Sequence, residues 1–417
     1  MLRILVVLPL YGGSLPMGRF AAEGLKENGC LVELFAAPSF LGAYNALKDL
    51  QIGSERLDGL QNSFLQHISQ CVMAKVEAFA PDLVLCMAQA PMSIAALKRL
   101  RKNKIPCAMW FVEDFRVFTY WRVFAPYYDI FAVIQKEPFF SELAALGLEN
   151  VLYLPAAALP SLHRSLRLTE EEKKEFGADL SFVGAGYPNR CRAFPHLARF
   201  GLKIWGTEWE EAPELAALWQ KRGQRISSED CVRIFNAAQI NINLHSSPRP
   251  DPPVQPGDFV NPRAFEIAAC GAFQLLDQRS LLPELFKADE AATFTDLEDL
   301  LNKTLYYKSR PDEREEIAGR ARRRVLAEHT YAARMKSLLD FAAERIPSFG
   351  RHADIAWPEN MPSDMREAAQ NLLLELNLPQ NASFSDLVTA IRARHGVLSD
   401  VETALLFLDE WKKLYAG

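Results

Sequence analysis

The 417-residue sequence predicts an α/β fold of two doubly wound domains facing each other across a cleft, with a helical extension at the C-terminal end. Three observations predict it. Short apolar runs alternate with helical patterns twice over, as expected of parallel sheets covered on both faces. A less regular stretch, about residues 156–177, separates the two series. Beyond residue 346 only helical patterns follow. A chain of this length is also too long for one core and suits two or three domains.

In the first series, residues 3–8 read as an apolar strand, followed by a glycine loop and a helix over about 17–28. "CLVELF" is the next strand. Leu57, Leu60, Phe64, Ile68 and Val72 recur at helical spacing and predict a long amphipathic helix. "DLVLCM" (82–87), "IPCAMW" (105–110), "DIFAVI" (129–134) and "NVLYLP" (150–155) are further strands. The second series runs "DLSFVGAG" (179–186), "LKIWG" (202–206), "QININL" (239–244), "AFQLL" (272–276) and "AATF" (291–294). Between them, "SSED" (227–230) resembles the capping box of a helix. "IPSFGRHADIAWPENMP" (346–362) is rich in proline and glycine and reads as a linker. Helical patterns over 364–376, 385–394 and 400–415 follow. In the last, Val401, Ala404, Leu408, Trp411 and Tyr415 form an apolar stripe, expected to pack on the body or to make a homodimer. The expected domains are therefore 1–155, 156–346 and 347–417.

Composition excludes several classes. The hydrophobic fraction of 49% and charged fraction of 24% are those of an ordinary globular protein, and a net charge of -5 gives no electrostatic reason to expect nucleic acid. Seven scattered cysteines with no C-x-x-C pair exclude the usual zinc spacings and suit a reducing compartment. The N-terminal apolar run is too short for a signal peptide, and no stretch approaches a membrane span. A cytoplasmic protein is the expectation.

Three segments carry candidate chemistry. "FVGAGYPNR" (182–190) is a strand, two glycines and a helix start; Gly184 and Gly186 would let backbone approach a phosphate, and Arg190 would add a fork to the anion. A tight turn is the plainer alternative. "NLHSSPRPDPPVQPGDFVNPRAFE" (243–266) holds His245 at a strand end, Asp258 before a helix, and Arg263 on its first turn. Asn261 is a good N-cap, Pro262 suits the first helical position, and Gly271 is a stop signal. Glu266 lies among Phe265, Ile267, Ala268 and Ala269, where a carboxylate needs a partner. Either a ligand supplies one, through two sugar hydroxyls, or Arg263 does, three residues back. His245 is a catalytic candidate, or a loop histidine bonded to backbone. "WFVEDFR" (110–116) ends a strand, so Glu113 and Asp114 point toward the cleft; each is either an acceptor-activating group or a plain helix-start acid. The loop "PLYGGSLPMG" (9–18), with Gly12 and Gly13, borders the same cleft. The aromatic run 115–131 is most simply packing.

"NPRAFEIAACGAFQLLD" (261–277) resembles the C-terminal signature of the GT-B glycosyltransferases, most closely the CgeB-like (spore maturation protein) family. That pattern is roughly N-x-R-x-F-E, small residues, C-G, and a strand ending in Asp. "SFVGAGYPNR", "LKIWG", "ININLH" and "HTYAARMKSLLDFA" (329–342) extend the resemblance, and "WFVEDFR" continues it more loosely into the first half. The resemblance implies two Rossmann-like domains, an acceptor side first and a nucleotide-sugar side second, with a last helix over 330–345 crossing back. It implies sugar transfer from a nucleotide-activated donor to an acceptor hydroxyl of a glycan, protein or small molecule. No resident cofactor or metal is implied, and the chain has no D-x-D triplet. In the retaining families a glutamate pair with seven intervening residues binds the donor. The second falls on Glu266 and the first on Asp258, one methylene shorter. The basic pair of those families has only Arg190 nearby, so Arg263 is expected to share the diphosphate with it, and Asn261 is counted among the donor-binding residues. The alternative is a GT-B-shaped nucleotide-binding or scaffold protein without catalysis.

Overall fold

The computed structural model describes residues 1–221, 223–347, 349–350, 363–376, 378, 382, 384–394 and 396–415. Two six-stranded sheets, parallel throughout, organise the body. The first comprises β1 (Arg3–Val7), β2 (Leu31–Phe35), β3 (Leu83–Met87), β4 (Cys107–Phe111), β5 (Ile130–Val133) and β6 (Val151–Tyr153), in the order β2-β1-β3-β4-β5-β6. The second comprises β7 (Ala178–Val183), β8 (Leu202–Trp205), β9 (Trp219–Gln220), β10 (Ala238–Asn243), β11 (Gln274–Asp277) and β12 (Ala292–Phe294), in the order β12-β11-β10-β7-β8-β9. Chain order reverses beside β1 and β3 in one sheet and beside β7 and β10 in the other. Loops at the carboxyl ends of such strands diverge and leave room for a ligand.

Several elements differ from expectation for local reasons. The two residues of β9 are too few to read as a strand. The stretch 156–177 contains the helix Glu170–Phe176, opened by a full capping box in which the Thr169 side chain accepts from Glu172 N and Glu172 bonds back to Thr169 N. The first helix, Ser14–Glu27, begins before Met17 because Pro16 is tolerated in a first turn. On the long helix Ser54–Phe79 the buried stripe starts only at Ile68, and Leu60 stays exposed.

The helix Tyr331–Arg345 lies against Ser14–Glu27 of the first sheet's layer. Gly24 permits the approach: a Cβ there would stand 2.6 Å from the Tyr331 carbonyl. Asn28 Nδ2 donates to Ala332 O at 2.8 Å, and Arg334 Nε to Pro155 O at 2.9 Å. Leu8, Phe20 and Trp110 share one apolar cluster with Val260, Phe265, Phe286 and Met335. The two sheets' layers are thus joined by a common core.

The extension forms helices Ser363–Glu375, Phe384–Ala393 and Asp400–Tyr415 around Leu372, Leu373, Leu387 and Ile391. Most of the expected linker, 351–362, lies outside the described residues. The expected stripe on the last helix faces outward: Val401, Leu408 and Trp411 are exposed. Ion pairs set the helix's rotation instead. Glu402, buried, pairs with Arg394 at 2.9 Å, and Asp409 pairs with Arg392 at 2.8 Å, turning Leu405 and Leu406 inward. The Tyr415 side chain is outside the described residues. Arg3 at the start of β1 and Asp386 in the extension, both buried, are 3.8 Å apart and tie the extension to the body.

Candidate active site

The helix Pro262–Ala269 begins at the carboxyl ends of β10 and β11, where a chain of hydrogen bonds fixes it. Asn261 Oδ1 caps Ala264 N at 3.2 Å, and Asn261 Nδ2 donates to Asn243 Oδ1 at 2.7 Å. Asn243 in turn donates to Gln274, which donates to Ala264 O within the helix. His245 and Asp277 complete the brace: Nδ1 of His245 lies 2.6 Å from Asp277 Oδ1, and its Nε2 accepts from Asn261 N at 2.9 Å. Burial lowers the His245 pKa against the opposing pull of Asp277. The ring is therefore neutral, with its proton on Nδ1 and both nitrogens engaged. In this structure His245 therefore positions the helix start, the backbone-bonded alternative of the two offered by the sequence.

Glu266 is buried and paired with Arg263, the partner that helical spacing offered as the alternative to a ligand. Burial alone would raise its pKa, but Arg263 and then His163 outweigh it and hold the carboxyl below its usual value. Arg263 bonds only Oε2; Oε1 accepts no hydrogen bond from the described residues. The Arg263 side chain is 35% exposed, so it reaches both Glu266 and solvent.

Arg190 does not stand ready for an anion. Its Nε and Nη2 both donate to Leu244 O, at 3.0 and 2.8 Å, and Nη1 donates to Ala185 O. Burial lowers its pKa to about 10, which leaves it charged at neutral pH. The guanidinium pins the loop after β7 to the end of β10. Gly184 and Gly186 also have packing reasons: a Cβ on Gly186 would meet Glu208 O, and one on Gly184 would meet the Phe182 ring at 2.9 Å. Beyond Gly186 opens a cavity of about 860 Å³ lined by Glu208, Glu210, Glu211 and Glu214 together with Arg192 and His196. The helix after these glycines, Pro188–Ala193, is a short one. In this structure Arg190 and the two glycines serve as structural braces, with the Arg190 guanidinium engaged by Leu244 and Ala185.

Asp258 meets the first sheet's side of the cleft. It accepts from Gln135 Nε2 at 2.8 Å and from Arg116 Nη1 at 3.2 Å. Asp114 lies beside it, accepting from Arg116 N and, at 3.5 Å, from the same Gln135 nitrogen. Glu113 accepts from Gln89 Nε2 and from Tyr120 OH at 2.9 Å. Burial raises its pKa, and these two donors offset part of the rise. Gly12, at φ +105, turns the loop after β1 so that its carbonyl accepts from Arg225 Nη2 of the second sheet's layer at 2.9 Å; a Cβ on Gly13 would meet nothing within 4 Å. Gln135, Gln89 and Arg225 were not singled out from sequence; Arg116 and Tyr120 stood within "WFVEDFR" and the aromatic run, and Asp277 ends the 261–277 signature.

Among the described residues no group of His, Cys, Asp and Glu is arranged to hold a metal, and no helix is long and apolar enough to cross a membrane. Residues 189–340 match the family described as glycosyl transferase-like. The chain is 28% identical to the spore protein CgeB of Bacillus subtilis over 261 residues, covering 59% of this chain and 78% of that protein. Two solved structures share the fold. One is the sucrose-phosphate synthase of Thermosynechococcus elongatus (TM-score 0.57, 11% identity, 84% of this chain and 100% of that one). The other is Anabaena HepE in complex with UDP and glucose (TM-score 0.57, 12% identity, 82% and 100%). The chain is thus similar in sequence to a glycosyl transferase-like family, over residues 189–340, and to the spore protein CgeB, and the two-domain body shares its fold with these solved structures.

Proposed function

We propose that the donor is a nucleoside diphosphate sugar bound against the Pro262–Ala269 helix, and that its sugar passes to an acceptor hydroxyl on the first domain (1–155) without a metal. One observation carries the reading: at the braced start of that helix the Arg263 side chain is partly exposed and pairs with Glu266, while Asp258, just before the helix, meets Arg116 and Gln135 of the first sheet's layer. The uridine nucleotide in the HepE structure supports a nucleotide donor of this kind.

In this reading the ribose hydroxyls take Oε1 of Glu266, and Arg263 turns from Glu266 toward the diphosphate. Arg225 and Arg263, with the N-terminal dipoles of helices Pro262–Ala269 and Ser14–Glu27, stabilise charge on the leaving diphosphate. An acceptor hydroxyl gives its proton to the Glu113 carboxylate as its oxygen bonds the anomeric carbon. The bond to the nucleoside diphosphate breaks with its electron pair. A raised pKa suits Glu113 to that exchange, and Asp114 is the neighbouring alternative. Release of UDP from UDP-glucose and related donors, followed by NMR, tests the reading; wild-type release that Glu113→Gln abolishes supports it.

A nucleotide-binding protein without catalysis is the second reading. It is favoured by the engagement of Asp258 with Gln135 and Arg116, and of Arg190 with Leu244. Binding of UDP with no turnover of any donor selects it. We place the protein in the cytoplasm on its seven free thiols. The exposed Phe407 and Leu408 face of the extension is assigned to self-association, which light scattering of the full chain checks.

A further inference from the structure

We propose that the first domain carries an acceptor pocket for a hydroxylated molecule with a flat, apolar body, its hydroxyl end held beside Glu113. The proposal rests on the sugar-transfer reading and names the acceptor class that reading leaves open.

A cavity of about 400 Å³ lies at the carboxyl ends of β3 and β4, under the helix Ser54–Phe79. That volume falls within the range of small-molecule sites, about 300–1,000 Å³. Leu65, Ala90, Met92, Met109 and Phe124 give it a mainly apolar lining. Thioethers adapt to irregular rings and make favourable contacts with aromatic groups. A sugar alone would leave most of its hydroxyls facing carbon and sulfur, and burying them unbonded is unfavourable.

Polar groups gather where the cavity meets the cleft. Tyr120 OH donates to Glu113 at 2.9 Å and accepts from Gln89 N at 3.0 Å, and the Gln89 amide donates to Glu113. Gln89 and Tyr120 line the cavity, so Glu113 stands one hydrogen bond behind its wall. Gln89 Oε1 also lies 4.0 Å from where a Cβ on Gly12 would be, and the Gly12 carbonyl meets Arg225 of the opposite domain. The polar end of the cavity therefore opens at the point where the two domains touch. An apolar body in the cavity would direct its hydroxyl to the Glu113 carboxylate, which the Gln89 and Tyr120 donors hold in place.

The test uses the full-length chain and calorimetry with p-nitrophenyl β-glucoside, methyl β-glucoside and UDP. Leu65→Trp fills the cavity from a half-buried helix position; Ile94→Trp does so from the other wall and serves if the first variant does not fold. The expected result is that the aryl glucoside binds wild type at least tenfold more tightly than the methyl glucoside. The filled variant should lose that preference while binding UDP within twofold of wild type. Equal binding of the two glucosides by wild type, or an unchanged preference in a folded filled variant, overturns the proposal. Failure of UDP to bind wild type, with the glucoside pattern as expected, overturns the donor reading and leaves the pocket standing.

Discussion

Gln135, wholly buried just past β5, donates from Nε2 to Asp258 Oδ1 at 2.8 Å and so links the two domains. Its Oε1 accepts from Phe115 N at 3.0 Å, which fixes the direction of the amide. One side chain thus orders the Glu113–Phe115 turn and holds the carboxylate that precedes the Pro262–Ala269 helix. Arg116 bonds the same carboxylate from a more exposed position.

Replacing Gln135 with Ala should remove both bonds and leave the Phe115 N–H buried without a partner, a loss of about 1–3 kcal/mol. The cleft should also open. Urea melts and small-angle scattering check the two effects separately. A variant with wild-type stability and an unchanged radius of gyration would show that Gln135 does not hold the two domains together.

Acid should weaken the joint between body and crossing helix. His329 Nε2 lies 2.7 Å from Leu285 O, and Nδ1 lies 2.8 Å from Arg334, so the neutral ring is the bonded one. Burial, then the Arg334 charge, lowers its pKa to about 4. The folded value lies below the unfolded one, so its contribution is complete above about pH 6.5 and is lost as the pH falls to 4. The difference corresponds to about 3 kcal/mol. Urea midpoints measured between pH 7 and 4.5 should fall for wild type and fall less for His329→Gln. Parallel slopes would assign the acid sensitivity elsewhere.

Nucleotide binding should persist in EDTA, since the account gives the diphosphate to Arg263, Arg225 and helix N-termini. Loss of binding on chelation, restored by magnesium or manganese, would transfer that role to a metal.

The sequence made the sheets legible because each β-strand buried on both faces reads as an unbroken apolar run. It made the Asn261 cap legible because capping is a local event between residues three apart. Contacts between distant segments left no such trace. Nothing near Gln135 announces Asp258, and nothing near Gly12 announces Arg225. His245 and Arg190 misled for a related reason. A polar side chain at a strand end or on a helix's first turn reads the same whether it faces a ligand or a neighbouring loop, and here Asn261 N and Leu244 O occupy them.

The extension yields a contrast between deletion and substitution. Asp386→Ala in the full chain removes the buried carboxylate that faces Arg3 and should lower stability. A chain stopped after Pro347 exposes Arg3 to water and should lose less, while still binding nucleotide. Thermal melts of the two proteins decide. A truncated chain that fails to fold or to bind nucleotide would make the extension part of the body.

Calorimetric titration of UDP into wild type and Glu266→Ala tests the central claim most directly. The account predicts binding by wild type and a loss of about 1–3 kcal/mol in the variant, the effect of removing hydrogen bonds to a charged group. The variant's fold should be retained, since Arg263 is exposed enough to turn to solvent. Equal binding of UDP by the two proteins would contradict the placement of the donor at this helix.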